Sequence, residues 1–273
     1  MITSSANPTI KGIRALRQRK EREERGLCFV EGIRQVAEAL ASDVVVQLIV
    51  APDLLTSAFA RELVERQRAA GTQILEVSRE LFASLSQKEG PQGLAAVARQ
   101  RWTSLAAARL DAPPGWVALV EPADPGNLGT IVRTADAVGA AGIMLIGPSA
   151  DPYDPAALRA SMGAAFTVPM LRCSWEQFAA WKAETGAYVL GTADSAPAHF
   201  QTIAYPQPLV LLMGSERHGL SSEQQALCDQ LVSIPMRGRA DSLNLAVATG
   251  VMLYELLRQG DTGTRRQGDR VIR

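Results

Sequence analysis

Asp124-Pro125-Gly126-Asn127-Leu128-Gly129-Thr130-Ile131-Val132-Arg133-Thr134-Ala135-Asp136 begins as a turn and ends as a helix. Ahead of it, Trp116-Val117-Ala118-Leu119-Val120 is a short apolar run suited to a buried strand. Asp124 to Gly129 is rich in turn formers, and Leu128, Ile131, Val132, Ala135 and Val138 then recur at helical spacing. A strand that feeds a helix through such a turn is the repeating unit of an α/β sheet, whose ligands gather beyond the strands' carboxyl ends. Asn127 and Gly129 fall on the turn, and Arg133 about one turn into the helix. Taken alone, the block reads equally well as a capped helix with a surface arginine.

Two later blocks repeat the pattern. Pro208-Leu209-Val210-Leu211-Leu212-Met213 reads as a buried strand running into Gly214-Ser215-Glu216-Arg217-His218-Gly219, and Ser221 with Gln224 predicts a capping box on the next helix. A carboxylate between two glycines at a strand end is more than a turn requires. Leu231-Val232-Ser233-Ile234-Pro235-Met236 reads as another strand, followed by a polar loop from Arg237 to Asp241. Ser242 then opens a long apolar helix through Leu245, Val251, Met252 and Leu256, with Asn244 in its first turn. Gly142 to Ile146, Phe166 to Met170 and Tyr188 to Thr192 are further strand candidates, with helical stretches such as Trp175 to Glu184 between them. This alternation predicts a parallel sheet. No Gly-x-Gly-x-x-Gly follows a first strand, so the dinucleotide fingerprint is absent.

In this order the blocks resemble the three signature motifs of the SpoU/TrmH family of RNA ribose 2'-O-methyltransferases, within the SPOUT superfamily. Asp124 to Asp136 resembles the first motif, Gly214-Ser215-Glu216 with Gly219 the second, and Ile234-Pro235-Met236 with Ser242 to Ala248 the third. Arg159 to Phe166 resembles a lesser family element. The resemblance implies an α/β protein whose C-terminal parallel-sheet SPOUT domain carries a deep trefoil knot, a topology that general connection rules disfavour. Ile2 to Pro8, the basic run from Lys11 to Arg25, and Phe29 to Arg34 resemble the RNA substrate-binding domain often fused ahead of such enzymes. That domain is a smaller α/β unit of ribosomal-protein-like shape, and Pro91 to Val97 resembles its closing strand. The expected organisation is a substrate-binding domain over residues 1–100, a linker over 101–115, the methyltransferase domain over 116–258 and a flexible tail over 259–273.

The activity implied is transfer of a methyl group from S-adenosylmethionine to a ribose 2'-hydroxyl in RNA, with no metal. Ribosomal RNA is favoured over tRNA by analogy with the fused front domain. Asn127, Arg133, Glu216, Ser242 and Asn244 match the family's catalytic positions, and Gly191, Thr192, Met213, Gly214, Ile234, Met236 and Leu243 its cofactor pocket. An apolar lining with backbone hydrogen bonds suits an adenine. The resemblance also implies a homodimer with active sites near the subunit interface. A tRNA 2'-O-methyltransferase, a base-nitrogen methyltransferase and a non-catalytic RNA-binding protein on the same scaffold are the alternatives. The Asn-x-Gly-x-x-x-Arg spacing favours ribose over base, and the intact catalytic set argues against a binding protein.

Composition bounds the same answer. The chain has 273 residues, enough for two domains of ordinary size, and its formal net charge is zero. A neutral balance argues against broad nucleic-acid affinity, so any phosphate contact must come from local clusters. Lys11, Arg14, Arg17, Arg19, Lys20, Arg22, Arg25 and Arg34 form the candidate RNA surface, although Glu21, Glu23 and Glu24 also permit a solvated face of local salt bridges. Cys28, Cys173 and Cys228 are widely spaced and suggest reduced, buried residues. With two histidines and no Cys-x-x-Cys, a metal site is not expected. The chain shows no apolar run of membrane-spanning length and no signal-peptide pattern, from which a cytoplasmic protein without membrane partners is expected.

Overall fold

The computed structural model describes residues 1–87 and 89–268, with side chains to residue 260. The chain divides into two compact units, Met1–Arg101 with Asp151–Thr167, and Trp102–Ala150 with Val168–Arg273.

In the first unit, the Asn7 side chain accepts from the amides of Thr9 and Ile10, and Pro8 takes the first position of helix α1 (Pro8–Ala15). Then follow α2 (Arg19–Arg25), β1 (Leu27–Glu31), α3 (Ile33–Ala41), β2 (Val45–Val50), α4 (Ala58–Ala69), β3 (Ile74–Glu76), α5 (Arg79–Leu85) and β4 (Leu94–Arg99). Its four strands run in the order β1-β4-β2-β3, with β4 antiparallel to both neighbours and β2 parallel to β3. Ile10 and Ile13 of α1 and Leu81, Phe82 and Leu85 of α5 cluster with Ile49, Ala95 and Val97 of the sheet.

The second unit starts from β5 (Gly115–Val120), buried along its whole length. It continues through α6 (Pro125–Ala137) and β6 (Gly142–Ile146). After α7 (Pro155–Ser161), which groups with the first unit, come β7 (Met170–Cys173), α8 (Trp175–Thr185), β8 (Val189–Thr192), β9 (Leu209–Met213), α9 (Ser222–Leu227), β10 (Gln230–Val232) and α10 (Leu245–Gly268). All neighbouring strands are parallel, in the order β10-β8-β9-β5-β6-β7. From β5 the chain steps outward through β6 and β7, then returns to the other side and lays β9 against β5. The crevice beyond the carboxyl ends at such a reversal is where α/β sheets take ligands. Gly115 permits the close approach of β9, because a Cβ at its φ of +96° would stand 1.9 Å from the Leu209 carbonyl oxygen.

Several boundaries differ from those expected. Of Leu231 to Met236, only Leu231 and Val232 lie in β10. Pro235, with no N–H for a ladder, sits with Ile234 and Met236 in the following loop. Phe166 closes a 3-10 turn, Ala164–Phe166, and the strand starts at Met170. The last helix starts at Leu245 rather than Ser242, and runs as far as Gly268 through much of the segment expected to be a tail. Residues 269–273 of that tail lie outside the described residues.

Segment 151–167 falls inside the sequence span expected for the methyltransferase domain but packs with the first unit, and Arg22 is the reason. Only 2% exposed, it was expected at an RNA surface; instead its Nε donates to Asp151 Oδ2 at 2.7 Å and its Nη2 to Asp154 Oδ2 at 3.3 Å. Nη1 donates to the carbonyls of Leu16 and Arg17. A guanidinium with its donors committed inside the protein cannot reach a phosphate. Tyr153 adds a second tie, accepting from the Arg101 amide and donating to the Arg101 carbonyl. Arg22→Ala leaves the Asp151 carboxylate buried without its cation, and is expected to lower unfolding stability by about 3–5 kcal/mol. Urea unfolding of the full chain measures this; a loss below about 1 kcal/mol would mean the pair contributes no more than a surface one.

Candidate active site

Asp124 fixes the start of α6. Its Oδ1 accepts from the Asn127 amide at 2.6 Å, Pro125 takes the first helical position, and Asn127 is thereby held in the first turn. Beyond β9, Ser215 and Gly219 exchange two backbone hydrogen bonds of 3.0 and 2.9 Å, so that Glu216, Arg217 and His218 stand at the loop's tip. Gly214 is required there, since a Cβ would lie 2.1 Å from the Gly219 carbonyl carbon. Asn244 is the cap of α10, its Oδ1 accepting from the amides of Ala246 and Val247 at 2.9 and 3.3 Å.

These loop ends are joined by side-chain hydrogen bonds whose direction is forced. Backbone N–H groups only donate, so the Asn244 oxygen faces α10 and its Nδ2 donates to Asn127 Oδ1 at 3.0 Å. The Asn127 Nδ2 therefore faces Glu216 Oε1, at 2.6 Å. Three loops are tied in one line.

Beside this line opens a cavity of about 410 Å³. Met213, Val232, Ile234, Met236, Leu243 and Leu245 give it an apolar wall, and Asp194, Glu216, Arg217, His218, Asp241 and Ser242 a polar one. Its volume lies within the range of small-molecule sites, and the lining suits a ligand with a flat apolar part and polar ends. Among the described residues, no three His, Cys, Asp or Glu side chains gather as metal ligands. Burial pushes the Cys173 and Cys228 thiols up to about 11, so neither offers a thiolate at neutral pH.

Residues 115–254 match the model of the SpoU rRNA Methylase family, and residues 7–96 that of the MRM3-like substrate binding domain. The chain belongs to the SpoU rRNA methylase family. It is an RNA 2'-O-methyltransferase. The 23S rRNA (guanosine(2553)-2'-O)-methyltransferase RlmP of Bacillus subtilis is 31% identical over 93% of this chain and 98% of its own. The 23S rRNA (uridine(2479)-2'-O)-methyltransferase of Streptomyces viridochromogenes is 34% identical over 91% and 88%. The crystal structure of an AdoMet-bound rRNA methyltransferase from Sinorhizobium meliloti is similar with a TM-score of 0.86 and 37% identity, covering 94% of this chain and 97% of that one.

Against this SpoU framework, the fold brings Asn127, Glu216 and Asn244 into direct contact and places Ser242 on the cavity wall. Arg133 is not among them. It follows Asn127 by six positions, which is about 9 Å along α6 and about 120° around it, and its side chain is exposed. Of the residues that the resemblance gives to the cofactor pocket, Thr192, Met213, Gly214, Ile234, Met236 and Leu243 line the cavity and Gly191 does not. Gly191 is a packing glycine: a Cβ there would meet the Cys228 sulfur at 2.5 Å. Asp194, Arg217 and His218 also line the cavity and were not assigned from sequence; each stands within two residues of a motif position, the only signal available.

The basic run divides. Arg19, Lys20 and Arg25 pair with Glu23, Glu24 and Glu21 along exposed α2. Arg14 donates to Ser84 Oγ, and Arg17 to the Ser84 and Leu85 carbonyls at the end of α5. Lys11 and Arg34 are exposed.

Asn244→Asp separates the two duties of Asn244. The carboxylate still caps α10 but cannot donate to Asn127, so methyl transfer is expected to fall roughly 10- to 100-fold while stability stays within about 0.5 kcal/mol. Thermal melting and labelled methyl transfer, measured together, check this; equal loss in both would make Asn244 a cap only.

Proposed function

We propose that this enzyme methylates a ribose 2'-hydroxyl of ribosomal RNA with S-adenosylmethionine as donor, acting as a homodimer in the cytoplasm. The observation that carries the proposal is the Asn244–Asn127–Glu216 line at the edge of a cavity of about 410 Å³. Both RlmP and the Streptomyces viridochromogenes enzyme are named for 23S rRNA, which supports ribosomal RNA as substrate.

The cavity fits the donor in volume and in chemistry. Ile234, Met236 and Leu243 offer an apolar surface for an adenine, with Thr192, Met213 and Gly214 at the strand ends opposite. When bound, S-adenosylmethionine supplies a methyl group already activated on a sulfonium. What remains for the protein is alignment, and a well-oriented pair of reactants is worth several orders of magnitude in rate. Ser242 and the free capacity of Asn127 orient the hydroxyl. Arg133 brings a fixed positive charge and a planar fork of donors, and so acts by stabilising negative charge on the RNA.

Two features support a dimer. Arg133 stands away from the Asn127 face of its own helix, and Val247 and Tyr254 of α10 are 53% and 55% exposed, with half-buried Val251 between them on the same face. We assign Arg133 of one copy to the cavity of the other. The knot expected of the family is supported by the way the 198–207 connection holds the C-terminal chain. Ser233 bonds to Ala198 and Phe200, and Gln259 to Ile203 and Tyr205. RNA contact is assigned to Lys11, Arg14, Arg17 and Arg34, with Arg19, Lys20 and Arg25 available because exposed ion pairs are weak.

Arg133→Ala is expected to abolish transfer to RNA that lacks the modification while leaving S-adenosylmethionine affinity nearly intact. Mixing Arg133→Ala with Asn127→Ala protein and allowing exchange should restore about a quarter of wild-type activity, because half of the random dimers carry one intact site. Failure to restore any activity would place both residues in the same copy's site.

A further inference from the structure

A ribose cannot come to the cavity without the phosphates that flank it. The cavity wall carries the carboxylates of Asp194, Glu216 and Asp241, which suit a cationic donor but repel the RNA that must meet it. We propose that Arg217, Arg237 and Arg239, at the mouth of the cavity, offset this repulsion by binding the backbone phosphates on either side of the nucleotide to be methylated. The inference rests on the proposed function, and it adds to the RNA contacts assigned to the first unit a second set in the second unit.

Three observations carry it. The first is place. Arg217 stands at the tip of the loop after β9 and lines the cavity. That tip is held in shape, because Ser215 and Gly219 exchange backbone hydrogen bonds and the His218 amide donates to Ser215 Oγ at 3.2 Å. Arg237 and Arg239 lie on the exposed stretch 237–240, which leaves the cavity wall at Met236 and rejoins it at Asp241.

The second is availability. All three arginines are exposed, and none forms an ion pair or a side-chain hydrogen bond with the described residues. Glu216 is adjacent to Arg217 and Asp241 is two positions from Arg239, yet neither carboxylate takes up its neighbour. Arg19 and Arg25 of α2, equally exposed to solvent, do pair with glutamates. The third is chemistry. A guanidinium stays charged and presents a planar fork of donors that matches two oxygens of one phosphate.

The donor's own carboxylate is the other anion within reach of such a cluster. Arg237 and Arg239 stand outside the lining of the cavity, which favours a strand crossing its mouth over a small molecule inside it.

Full-length wild type, Arg217→Gln, Arg237→Gln, Arg239→Gln and the triple variant test this on ribosomal RNA lacking the modification. Arg66→Gln, on an exposed arginine of α4 with no assigned contact, removes the same charge elsewhere. Filter binding over roughly 50 to 200 mM salt gives the RNA Kd and its salt slope. Calorimetry gives the S-adenosylmethionine Kd, and labelled transfer gives kcat and KM. Each single variant is expected to flatten the slope by about 0.7 and the triple variant by about 2, the value for single-stranded contacts, while Arg66→Gln leaves it unchanged. In the triple variant KM for RNA should rise about 10- to 100-fold with kcat within about threefold, because a flanking phosphate is held alike before and during transfer. Its S-adenosylmethionine Kd should stay near wild type, which also shows an intact cavity.

Once the methylated nucleotide is mapped, an oligonucleotide with neutral methylphosphonates at the flanking phosphates should bind wild type weakly and lose nothing further with the triple variant. An unchanged salt slope in the triple variant, a slope flattened as much by Arg66→Gln, or methylphosphonate and arginine losses that simply add would each overturn the assignment. A weakened S-adenosylmethionine Kd with an unchanged slope would place the guanidiniums on the donor's carboxylate and overturn it as well. A wild type that methylates no RNA defeats the proposed function itself, which keeps the two failures distinct.

Discussion

β5 is hydrogen-bonded to β9 on one edge and β6 on the other, and buried on both faces, so it leaves no surface of its own for chemistry. The polar groups of the Asn244–Asn127–Glu216 line therefore come from chain that has already left the sheet. The first turn of α6, the loop after β9 and the cap of α10 supply them, from segments far apart in sequence. Leu119 lies opposite Met213, one residue before Gly214, and that register sets the second loop beside α6. Gly115 and Gly214 are part of the same constraint, each admitting a backbone approach that a methyl group would prevent.

Once the loops are gathered, their side chains gain a definite polarity. A chain of amides can run in either direction, and the backbone donors of α10 choose one. That choice makes the carboxylate the end of the line rather than its middle, with one oxygen satisfied and the other unengaged by described residues. An amide line terminating in a second amide would end without a charge.

Much of this was legible in the chain. The strand at Gly142–Ile146, the helix opened by Asp124-Pro125 and the Ser221–Gln224 capping box follow from local patterns that tertiary packing did not override. Spacing and resemblance also marked Asn127, Glu216 and Asn244. What they could not give is partnership. Asn244 was expected inside a helix, but its short polar side chain serves better as the cap, and only from there does its Nδ2 meet Asn127. Ile234 and Met236 carry the apolar signature of a strand but line a cavity, and an apolar cavity wall and a buried strand look alike in sequence. Arg22 shows the converse. Within a run of charges nothing distinguishes the one that will be buried, because its partners Asp151 and Asp154 lie more than a hundred residues away.

The helical phase of Arg133 now has a physical rationale. A guanidinium on the Asn127 face of α6 would find the Glu216 carboxylate within reach and form a paired, hydrogen-bonded couple. Such a couple would hold both groups away from an incoming hydroxyl, and breaking it would raise the cost of each turnover. Six positions of separation turn the arginine about 120° from that face and prevent the pairing within one copy. The Glu216 carboxylate is left on the cavity wall, and the Arg133 guanidinium is left exposed on another face of α6. Within one copy, the pitch of α6 thus keeps this arginine from pairing with that carboxylate.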